Sequence, residues 1–251
     1  MKKEMIYYSN MMHLSIIVPA YNEERRLPKT LKAIDDYLRS QDYDSEIVVV
    51  SDGSQDKTAQ VSKELGILNL RVIENKENHG KGYVVRQGML EAKGDFRVFM
   101  DADNSTTVNH VERMWPRFGE GSDVVICSRD HKDSVIPNPQ PLSRRVMGDL
   151  FNVGVVQLIG GLWGMWDTQC GFKGFTAKAA QDIFSRSVID RWAFDVEALV
   201  IAKKLGYRVT EVPVLWINDA ESKVGVGLKP MIRVFREVAQ IRWNSITEKY
   251  S

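Results

Sequence analysis

The chain has 251 residues, of which 43% are hydrophobic and 27% are charged, and its formal charge at pH 7 is +1. This length can bury a full core and is most simply one domain, while the near-neutral charge gives no global field for binding nucleic acid or an acidic polymer. Two cysteines are too few for a disulfide framework, which indicates a protein of the reducing cytoplasm.

No segment of the sequence has the length and apolarity of a signal peptide or a membrane-spanning helix. The N-terminal MKKEMIYYSNMMH lacks an apolar core. Residues 153–166 are shorter than the roughly 20 residues needed to span a bilayer, and they contain Gln157 and several glycines. We therefore expect a soluble protein, or one that lies on a membrane without crossing it.

Between residues 14 and 127, short β-rich runs alternate with stretches that have apolar residues at helical spacing. The predicted strands are LSIIVP, EIVVVS, LRVIEN, FRVFMD and DVVICS, and the predicted helices are 24–39, 56–65, 81–92 and 108–118. This βαβ rhythm predicts an α/β fold, with a mostly parallel sheet and helices on both of its faces.

The second half of the chain has a different pattern. Residues 130–143 contain three prolines and predict a long loop. A glycine-interrupted apolar stretch, the segment DTQCGFKGF, helices at 177–184 and 194–205 and the strand YRVTEVPVLW follow. From Leu228 the sequence predicts one amphipathic helix. We therefore expect one domain over residues 1–227 and a C-terminal amphipathic helix over residues 228–251.

Acidic motifs directly follow three of the predicted strands. Because the carboxyl ends of parallel strands meet at one edge of a sheet, where open α/β sheets bind their ligands, these motifs predict a site for a nucleotide and a metal. The motifs are Asn22-Glu23-Glu24, Asp52-Gly53-Ser54 and Asp101-Ala102-Asp103.

In the third motif, Asp101 and Asp103 are two residues apart, so an extended chain points both carboxylates the same way. Mg²⁺ typically sits on one or two carboxylates together with substrate phosphates. Asp101-Ala102-Asp103 therefore predicts a site for Mg²⁺ or Mn²⁺ and a nucleotide diphosphate, and the alternative is an ordinary acidic loop.

The other two motifs suit the nucleoside. The Asp52 carboxylate could accept hydrogen bonds from a base or a ribose, although Asp52-Gly53-Ser54 also has the composition of a turn that caps a helix. The loop after the first strand offers an aromatic ring and a carboxylate, although it could be an ordinary strand-to-helix connection. Its residues are Pro19, Ala20, Tyr21, Asn22 and Glu23.

A further candidate phosphate contact is Gly80-Lys81-Gly82, which opens a predicted helix. Backbone amides and the Lys81 ammonium would face a phosphate there. The motif lacks the full P-loop spacing, and no G-x-G-x-x-G follows a strand, which argues against a dinucleotide dehydrogenase.

These motifs, in this order, resemble the family 2 inverting glycosyltransferases, which have the nucleotide-diphospho-sugar-binding GT-A fold. IIVPAYNEE, VVSDGSQDKT and FMDAD carry that resemblance. DTQCGFKGF and RWAFDVEALVIA look like the polyprenyl-phosphate branch, above all the dolichyl-phosphate β-glucosyltransferases, and they extend the resemblance to nearly the whole chain. It implies that residues 1–227 are a GT-A catalytic domain.

The resemblance also implies residue roles. Donor contacts would be made by Pro19, Tyr21, Glu23 and Asp52, and Asp101 and Asp103 would hold the diphosphate and the metal. Arg129 matches an arginine near the phosphates, and Lys223 matches a lysine in a late segment. Glu221, where a glycine is usual, and Asn104, where a smaller or apolar residue is usual, depart from the pattern and leave the sugar open.

The residues agree with a phosphate acceptor. A phosphate monoester, with a second pKa of about 6, is largely dianionic at pH 7 and needs cations rather than a general base. Arginine suits bidentate phosphate contact. The candidate cations are Arg129, Arg144, Arg145 and Lys223. If the acceptor is a hydroxyl instead, Asp195 is the candidate base, and its alternative role is a charge at a helix N-terminus.

The basic amphipathic helix from Leu228 fits a lipid acceptor, because such helices lie in the membrane interface. The alternative is that it packs on its own domain. Trp163, Trp166 and Trp243 could be interfacial anchors or core residues, and Arg144 with Arg145 would precede a second interfacial segment.

Together with these residues, the resemblance implies an enzyme that moves a sugar with inversion, first of all glucose from UDP-glucose, onto dolichyl or polyprenyl phosphate. It would use Mg²⁺ or Mn²⁺ and lie at the cytoplasmic face of a membrane, without a nucleic-acid partner. One alternative is a transferase acting on a hydroxyl of a polysaccharide or soluble glycan. Another is a non-catalytic nucleotide-sugar-binding protein.

Overall fold

The computed structural model describes residues 13–137, 156–157, 161–217 and 228–251, and only the backbone of residues 228–231. Seven strands of the described residues form one sheet in the order β3-β2-β1-β4-β6-β5-β7. The strands are β1 (His13–Ala20), β2 (Asp44–Asp52), β3 (Leu70–Asn75), β4 (Phe96–Met100), β5 (Val124–Ser128), β6 (Phe172–Thr176) and β7 (Val209–Pro213).

The described helices alternate with these strands in the first half of the chain and follow one another more closely in the second. They are α1 (Leu27–Arg39), α2 (Thr58–Glu64), α3 (Lys81–Glu91), α4 (Val111–Gly119, after the 3₁₀ turn Val108–His110), α5 (Ala177–Phe184), α6 (Phe194–Lys204) and α7 (Leu228–Ile246). The predicted α/β architecture is confirmed. No helix in these described ranges has the length and apolarity to cross a membrane.

Both faces of the sheet are buried, which explains why its strands read as nearly continuous apolar runs. Ile17 and Val48 face a core formed with α3, α5 and α6. Their neighbours Ile16 and Val49 face a second core formed with α1 and α4. Alternate side chains of one strand point to opposite faces, so each strand contributes to both cores.

Strand β6 is the exception to the parallel arrangement. It lies between β4 and β5 and runs antiparallel to both, while β1, β2, β3 and β4 pair in parallel, as do β5 and β7. Sequence reasoning did not identify β6 as a strand. Its direction brings its N-terminal end to the sheet edge where β4 and β5 end.

Helices α1 and α2 begin later than predicted, at Leu27 and Thr58 instead of residues 24 and 56. The physical reason lies in the loops that precede them. The Glu24 amide donates to the Asp56 carboxylate, and the Glu24 carboxylate accepts from the Lys57 amide. These residues hold the two loops together instead of extending the helices.

Helix α7 packs on its own domain, which is one of the two alternatives that the sequence left open for this helix. Val238 and Ile241 are fully buried against α6. The Lys204 ammonium donates to the Ser245 carbonyl at 2.7 Å. The opposite side of α7 nevertheless exposes large apolar side chains, among them Trp243 at 68%.

Candidate active site

The three acidic motifs lie at one edge of the sheet, as predicted. Strands β2, β1 and β4 are neighbours and run in parallel, so the loops that follow them emerge side by side. Strands β5 and β7 end at the same edge, and β6 begins there. The edge therefore gathers residues from both halves of the chain.

The loops after β1 and β2 are joined by reciprocal hydrogen bonds. The Asn22 amide donates to Ser54 Oγ at 3.1 Å, and Asn22 Oδ1 accepts from the Gln55 amide at 2.8 Å. Asn22 has a φ of 55°, a left-handed conformation that asparagine tolerates better than most residues. Tyr21 is 44% exposed beside this joint, so its ring is accessible to a ligand.

Glu23 is held on both its backbone and its side chain. Its amide donates to Thr58 Oγ1 at 2.7 Å, and its carboxylate pairs with the Arg26 guanidinium at 2.5 Å. Residues 22–26 and 55–56 line a cavity of about 340 Å³. Its lining is strongly charged, which suits a polar ligand.

Asp52 is buried, with 2% exposure, and its carboxylate accepts the backbone amides of His79 and Gly80 at 2.8 Å each. Gly53, at a φ of +64°, packs so closely that an added Cβ would lie 2.4 Å from the Glu77 carbonyl carbon. Asp52 and Gly53 therefore fix residues 77–80 at the sheet edge. Contact of Asp52 with a base or ribose stays a prediction.

The start of α3 differs from the prediction in one respect. The amides of Gly82 and Tyr83 do not face an open site, because they donate to the carbonyls of Arg191 at 3.2 Å and Asp190 at 3.0 Å. The amide contribution expected from Gly80-Lys81-Gly82 is thus largely used within the protein. The Lys81 ammonium points at the Asp101-Ala102-Asp103 motif, and its contact with a phosphate stays a prediction.

Lys81 Nζ lies 2.5 Å from Asp101 Oδ1, and the two side chains are 24% and 34% exposed. Burial alone would lower the pKa of Lys81, but Asp101 and Asp195 raise it above its ordinary value, so Lys81 is a cation. A partly exposed ion pair at the sheet edge can exchange partners with an incoming phosphate.

Asp103 occupies the other end of the motif. Its carboxylate accepts the Ser105 amide at 2.9 Å, and Thr30 of α1 donates to the Ala102 carbonyl at 2.7 Å. Burial, and secondly the charge of Asp101, raise the pKa of Asp103 above its ordinary value. The motif is therefore anchored from both sides, with two carboxylates close enough to repel each other.

The residues fit a hard divalent cation. Asp101 and Asp103 offer carboxylate oxygens, and a neighbouring positive charge is already paired with one of them. Among the described residues, no group of three or more metal-ligating side chains converges. A pair of carboxylates completed by substrate phosphates and water is the arrangement that Mg²⁺ commonly uses.

Asn104 follows the motif in a left-handed conformation, with a φ of 57°. Asparagine and glycine adopt this conformation at low cost, which gives a backbone reason for the departure noted in the sequence. Its Oδ1 is buried without a hydrogen-bond partner among the described residues.

The segment leading into β6 supports the carboxylate of Asp101, and sequence reasoning assigned it no role. The Asp101 amide donates to the Gly171 carbonyl at 3.1 Å. A Cβ added at Gly171 would lie 1.9 Å from Asp101 Oδ2. The signal that could have identified Gly171 was its place in DTQCGFKGF, one of the segments that carries the family resemblance.

Asp195, the candidate base, is buried in the first turn of α6. The fully buried Lys173 donates to Asp195 Oδ1 at 2.5 Å and to the Cys170 carbonyl at 2.6 Å. Burial raises the pKa of Asp195, although Lys173 and Lys81 act in the opposite direction. Lys173 was missed because a lysine inside a short apolar run gives no strand-like alternation.

Arg129 is held by Asp167, another residue that sequence reasoning missed. Arg129 Nε and Nη2 contact the two Asp167 oxygens at 2.8 and 2.7 Å, and the Arg129 amide donates to the same carboxylate at 2.7 Å. Burial alone would raise the pKa of Asp167, but Arg129 lowers it below its usual value. Arg129 Nη1 takes no part in this bidentate pair.

The other predicted acceptor cations, Arg144, Arg145 and Lys223, lie outside the described residues, as does Glu221. The chain before residue 218 is anchored close to the Asp101-Ala102-Asp103 motif, because the Ile217 amide donates to the Ser105 carbonyl at 3.0 Å.

Comparison with known proteins identifies the family. Residues 15–184 match Glycosyl transferase family 2. The chain is 33% identical to a dolichyl-phosphate beta-glucosyltransferase of Trichomonas vaginalis, covering 95% of this chain and 77% of the relative. The dolichyl-phosphate beta-glucosyltransferase of Drosophila melanogaster is 37% identical, with coverage of 85% and 69%, and that of Homo sapiens is 35% identical, with coverage of 87% and 72%.

Solved structures share the fold at lower identity. Glucosyl-3-phosphoglycerate synthase of Mycobacterium tuberculosis, crystallised with Mn²⁺, UDP-glucose and phosphoglyceric acid, has a TM-score of 0.66 at 17% identity over 94% of this chain and 80% of that one. Mannosyl-3-phosphoglycerate synthase of Rubrobacter xylanophilus has a TM-score of 0.64 at 16% identity, over 99% and 76%. With its GT-A sheet and its match across residues 15–184, the chain belongs to glycosyl transferase family 2 and is a glycosyltransferase.

Proposed function

We propose that this glycosyltransferase moves glucose from UDP-glucose to dolichyl or polyprenyl phosphate, with inversion at the anomeric carbon. The relatives named dolichyl-phosphate beta-glucosyltransferases support the donor sugar and the acceptor class. The sheet-edge position of Asp101 and Asp103, beside Lys81, supports a nucleotide-diphosphate donor.

The observation that most supports a phosphate acceptor is the pairing of carboxylates with cations around the site. A hydroxyl acceptor needs a carboxylate to take its proton, whereas a phosphate monoester is largely ionised at pH 7. Carboxylates that already have cationic partners suit an acceptor with no proton to lose. The pairs are Lys81 with Asp101, Arg129 with Asp167 and Lys173 with Asp195.

In the proposed reaction, a phosphate oxygen of the lipid attacks the anomeric carbon of glucose opposite the UDP group. The bond from that carbon to the β-phosphate oxygen breaks, and its electron pair leaves with UDP. Lys81 stabilises the growing charge on the diphosphate, and residues of the loops after β1 and β2 hold the donor in line for the attack. Asp101 and Asp103 would hold Mg²⁺ or Mn²⁺, which supplies further positive charge to the diphosphate.

The donor's nucleoside is proposed to bind at the loops after β1 and β2. Tyr21 offers its exposed ring to the base. The loop residues proposed to complete this binding surface are Pro19, Ala20, Asn22, Glu23, Asp52, Gly53 and Ser54. For the acceptor phosphate we propose Arg129 through Nη1, together with Arg144, Arg145 and Lys223.

The test is an assay of the purified protein with Mg²⁺ or Mn²⁺ and UDP-glucose, UDP-N-acetylglucosamine or GDP-mannose, with and without a short polyprenyl phosphate. Of the three donors, we expect only UDP-glucose to give a lipid-linked sugar, which would be glucose. Asp103→Ala should abolish transfer, while Asp44→Ala, which removes an exposed aspartate at the far end of β2, should not. Nearly full activity of Asp103→Ala would contradict the metal assignment.

The same assay separates the alternatives. Release of UDP without glycolipid would favour a hydroxyl acceptor, with Asp195 as base. Tight binding of UDP without any turnover would favour a non-catalytic nucleotide-sugar-binding protein.

We also propose that the outer side of α7 contacts a membrane surface. Ile232, Phe235, Trp243 and Ile246 are each more than half exposed and recur at helical spacing along one stripe. The exposed Arg242 borders this stripe. Apolar side chains beside cations suit an interface with anionic headgroups.

A tryptophan-bearing loop adjoins α7 and extends this surface. A Cβ added at Gly161 would lie 3.3 Å from Arg242 Nη1, and the Gly161 carbonyl accepts from Lys203 at 3.0 Å. Trp163 and Trp166 of this loop are 61% and 49% exposed. Peripheral attachment at the cytoplasmic face would place the protein beside a lipid acceptor.

Flotation with vesicles of phosphatidylcholine and about one quarter phosphatidylserine tests this surface. The double variant Phe235→Glu, Trp243→Glu should remain in the dense fraction while the wild-type protein floats. Leu68→Glu, which changes a 91% exposed leucine before β3, is the matched control and should float. A wild-type protein that does not float would refute the membrane proposal.

A further inference from the structure

Glu197 on α6 is fully buried and takes no part in the proposed chemistry. A buried carboxylate needs hydrogen-bond donors to offset its lost hydration. Glu197 accepts the amides of Val188 and Ile189 at 3.0 and 2.9 Å, and the hydroxyl of the fully buried Tyr250 at 2.7 Å. One glutamate thus joins the residues after α7 to the backbone before α6.

The backbone before α6, residues 187–193, is here named the connector. Its carbonyls of Arg191 and Asp190 accept the amides of Gly82 and Tyr83. A Cβ added at Gly82 would lie 2.4 Å from the connector's Ile189 carbonyl oxygen. The connector therefore packs directly on the first turn of α3.

Lys81 lies in this first turn, between two glycines that both touch the connector. A Cβ at Gly80 would lie 2.4 Å from the Asp190 carbonyl oxygen, as close as the contact at Gly82. From this turn Lys81 reaches Asp101 at 2.5 Å. Movement of the connector would consequently displace the ammonium that faces the proposed diphosphate.

Helix α7 holds the connector at a second point. Glu237 of α7 accepts the Ala193 amide at 3.0 Å. Asn244 of α7 donates to the Tyr250 hydroxyl at 3.1 Å, which orients that hydroxyl toward Glu197. Both contacts depend on α7 being seated on α6.

We propose that Tyr250 is a positioning residue for the donor site, acting through Glu197 and the connector on Lys81. Backbone contacts from the connector fix the position of the first turn of α3. Groups that α7 and Tyr250 supply fix the position of the connector. Packing of α7 on α6 and binding of the donor diphosphate therefore favour each other, since coupling between two sites is reciprocal. This inference rests on the proposed donor role of Lys81.

Tyr250→Phe tests the proposal because it keeps the ring and removes only the hydroxyl. Tyr207→Phe is the matched control, since the Tyr207 hydroxyl also donates to a helix carboxylate, that of Asp182, away from the connector. Glu237→Ala removes the second contact from a half-buried position, so it tests the same route while the buried Tyr250 and its hydrogen bonds stay in place.

Two readouts are needed. Hydrogen exchange at the Gly82 and Tyr83 amides should be faster in Tyr250→Phe and Glu237→Ala than in the wild type, and unchanged in Tyr207→Phe. The Kd for UDP with Mn²⁺, measured by calorimetry, should rise about 3- to 30-fold in the first two variants and stay unchanged in the control.

The outcomes are distinguishable. Unchanged amide exchange in Tyr250→Phe and Glu237→Ala would overturn the connector route. Faster exchange with unchanged UDP affinity would overturn the positioning role. A wild-type protein that binds no UDP would refute the proposed function, while the exchange data would still decide whether Tyr250 acts on the first turn of α3.

Discussion

Gly171→Ala should inactivate the enzyme through a single contact. The added Cβ would lie 1.9 Å from Asp101 Oδ2 and 2.4 Å from its Cγ, and real Cβ contacts do not fall below 3.0 Å. The φ of Gly171 lies outside the left-handed region, so alanine itself fits the backbone. The entire effect therefore falls on the Asp101 carboxylate, which must move by about 1 Å or rotate away from Lys81.

The magnitude follows from that displacement. A 1 Å misplacement of a reacting group can cost about 100-fold in rate, and here the displaced carboxylate also loses its 2.5 Å contact with Lys81. We expect kcat/KM for UDP-glucose to fall by about 100-fold or more. Far-UV circular dichroism and the melting temperature should stay close to those of the wild type.

Gly174→Ala, inside β6 and three residues after Gly171, is the matched control. Its Cβ would meet Met114 Sδ at 2.8 Å and Phe118 Cζ at 3.1 Å, which are side-chain atoms in the core away from the carboxylates. This variant should lose stability, by about 1–3 kcal/mol, but keep its activity per folded molecule. Activity of Gly171→Ala within threefold of the wild type would refute the reasoning.

Substitutions at three further positions test other parts of the site. Lys81→Met removes the ammonium while nearly keeping the side-chain length, and kcat should fall about 100- to 1,000-fold in steady-state assays; a smaller effect on kcat than on KM would contradict a role in the transition state. Asp167→Asn breaks the buried pair with Arg129 and should cost about 3–5 kcal/mol in urea unfolding at pH 7. Because the pKa of Asp167 is lowered in the folded state, this stabilisation is present above its unfolded-state pKa of about 3.9 and is lost as pH falls through the lower folded value. Below pH 4 the free energy of unfolding should therefore fall less steeply with pH in the variant than in the wild type. Asn104→Ala should lose about 1–2 kcal/mol in urea unfolding and Asn104→Gly should not, because position 104 has a positive φ; equal losses would argue that the Asn104 side chain matters instead.

The sequence was most informative where a segment's structure depends on its own residues. The apolar runs of β1, β2 and β4 predicted buried parallel strands, and the acidic motifs after them predicted the sheet edge at which these motifs meet. Helix α5 begins and ends at the predicted residues, because its apolar spacing and the Thr176 cap are local.

The sequence was least informative where a residue's role depends on distant partners. Strand β6 has five residues, with a buried lysine and Gly174 inside, so its pairing between β4 and β5 has no local signature. The backbone partners of Asp52 lie 27 and 28 residues away, and Asp167 is 38 residues from Arg129. Such contacts depend on the assembled sheet and cannot be read from spacing.

The joint between the loops after β1 and β2 has a consequence for the thermodynamics of donor binding. Five hydrogen bonds cross it in both directions, pairing residues 22–24 with residues 54–58. A ligand that enters a surface already fixed in this way loses little conformational entropy in ordering it. The nucleoside half of the donor, at its proposed site on these loops, should therefore bind with a small entropic penalty and little loop movement.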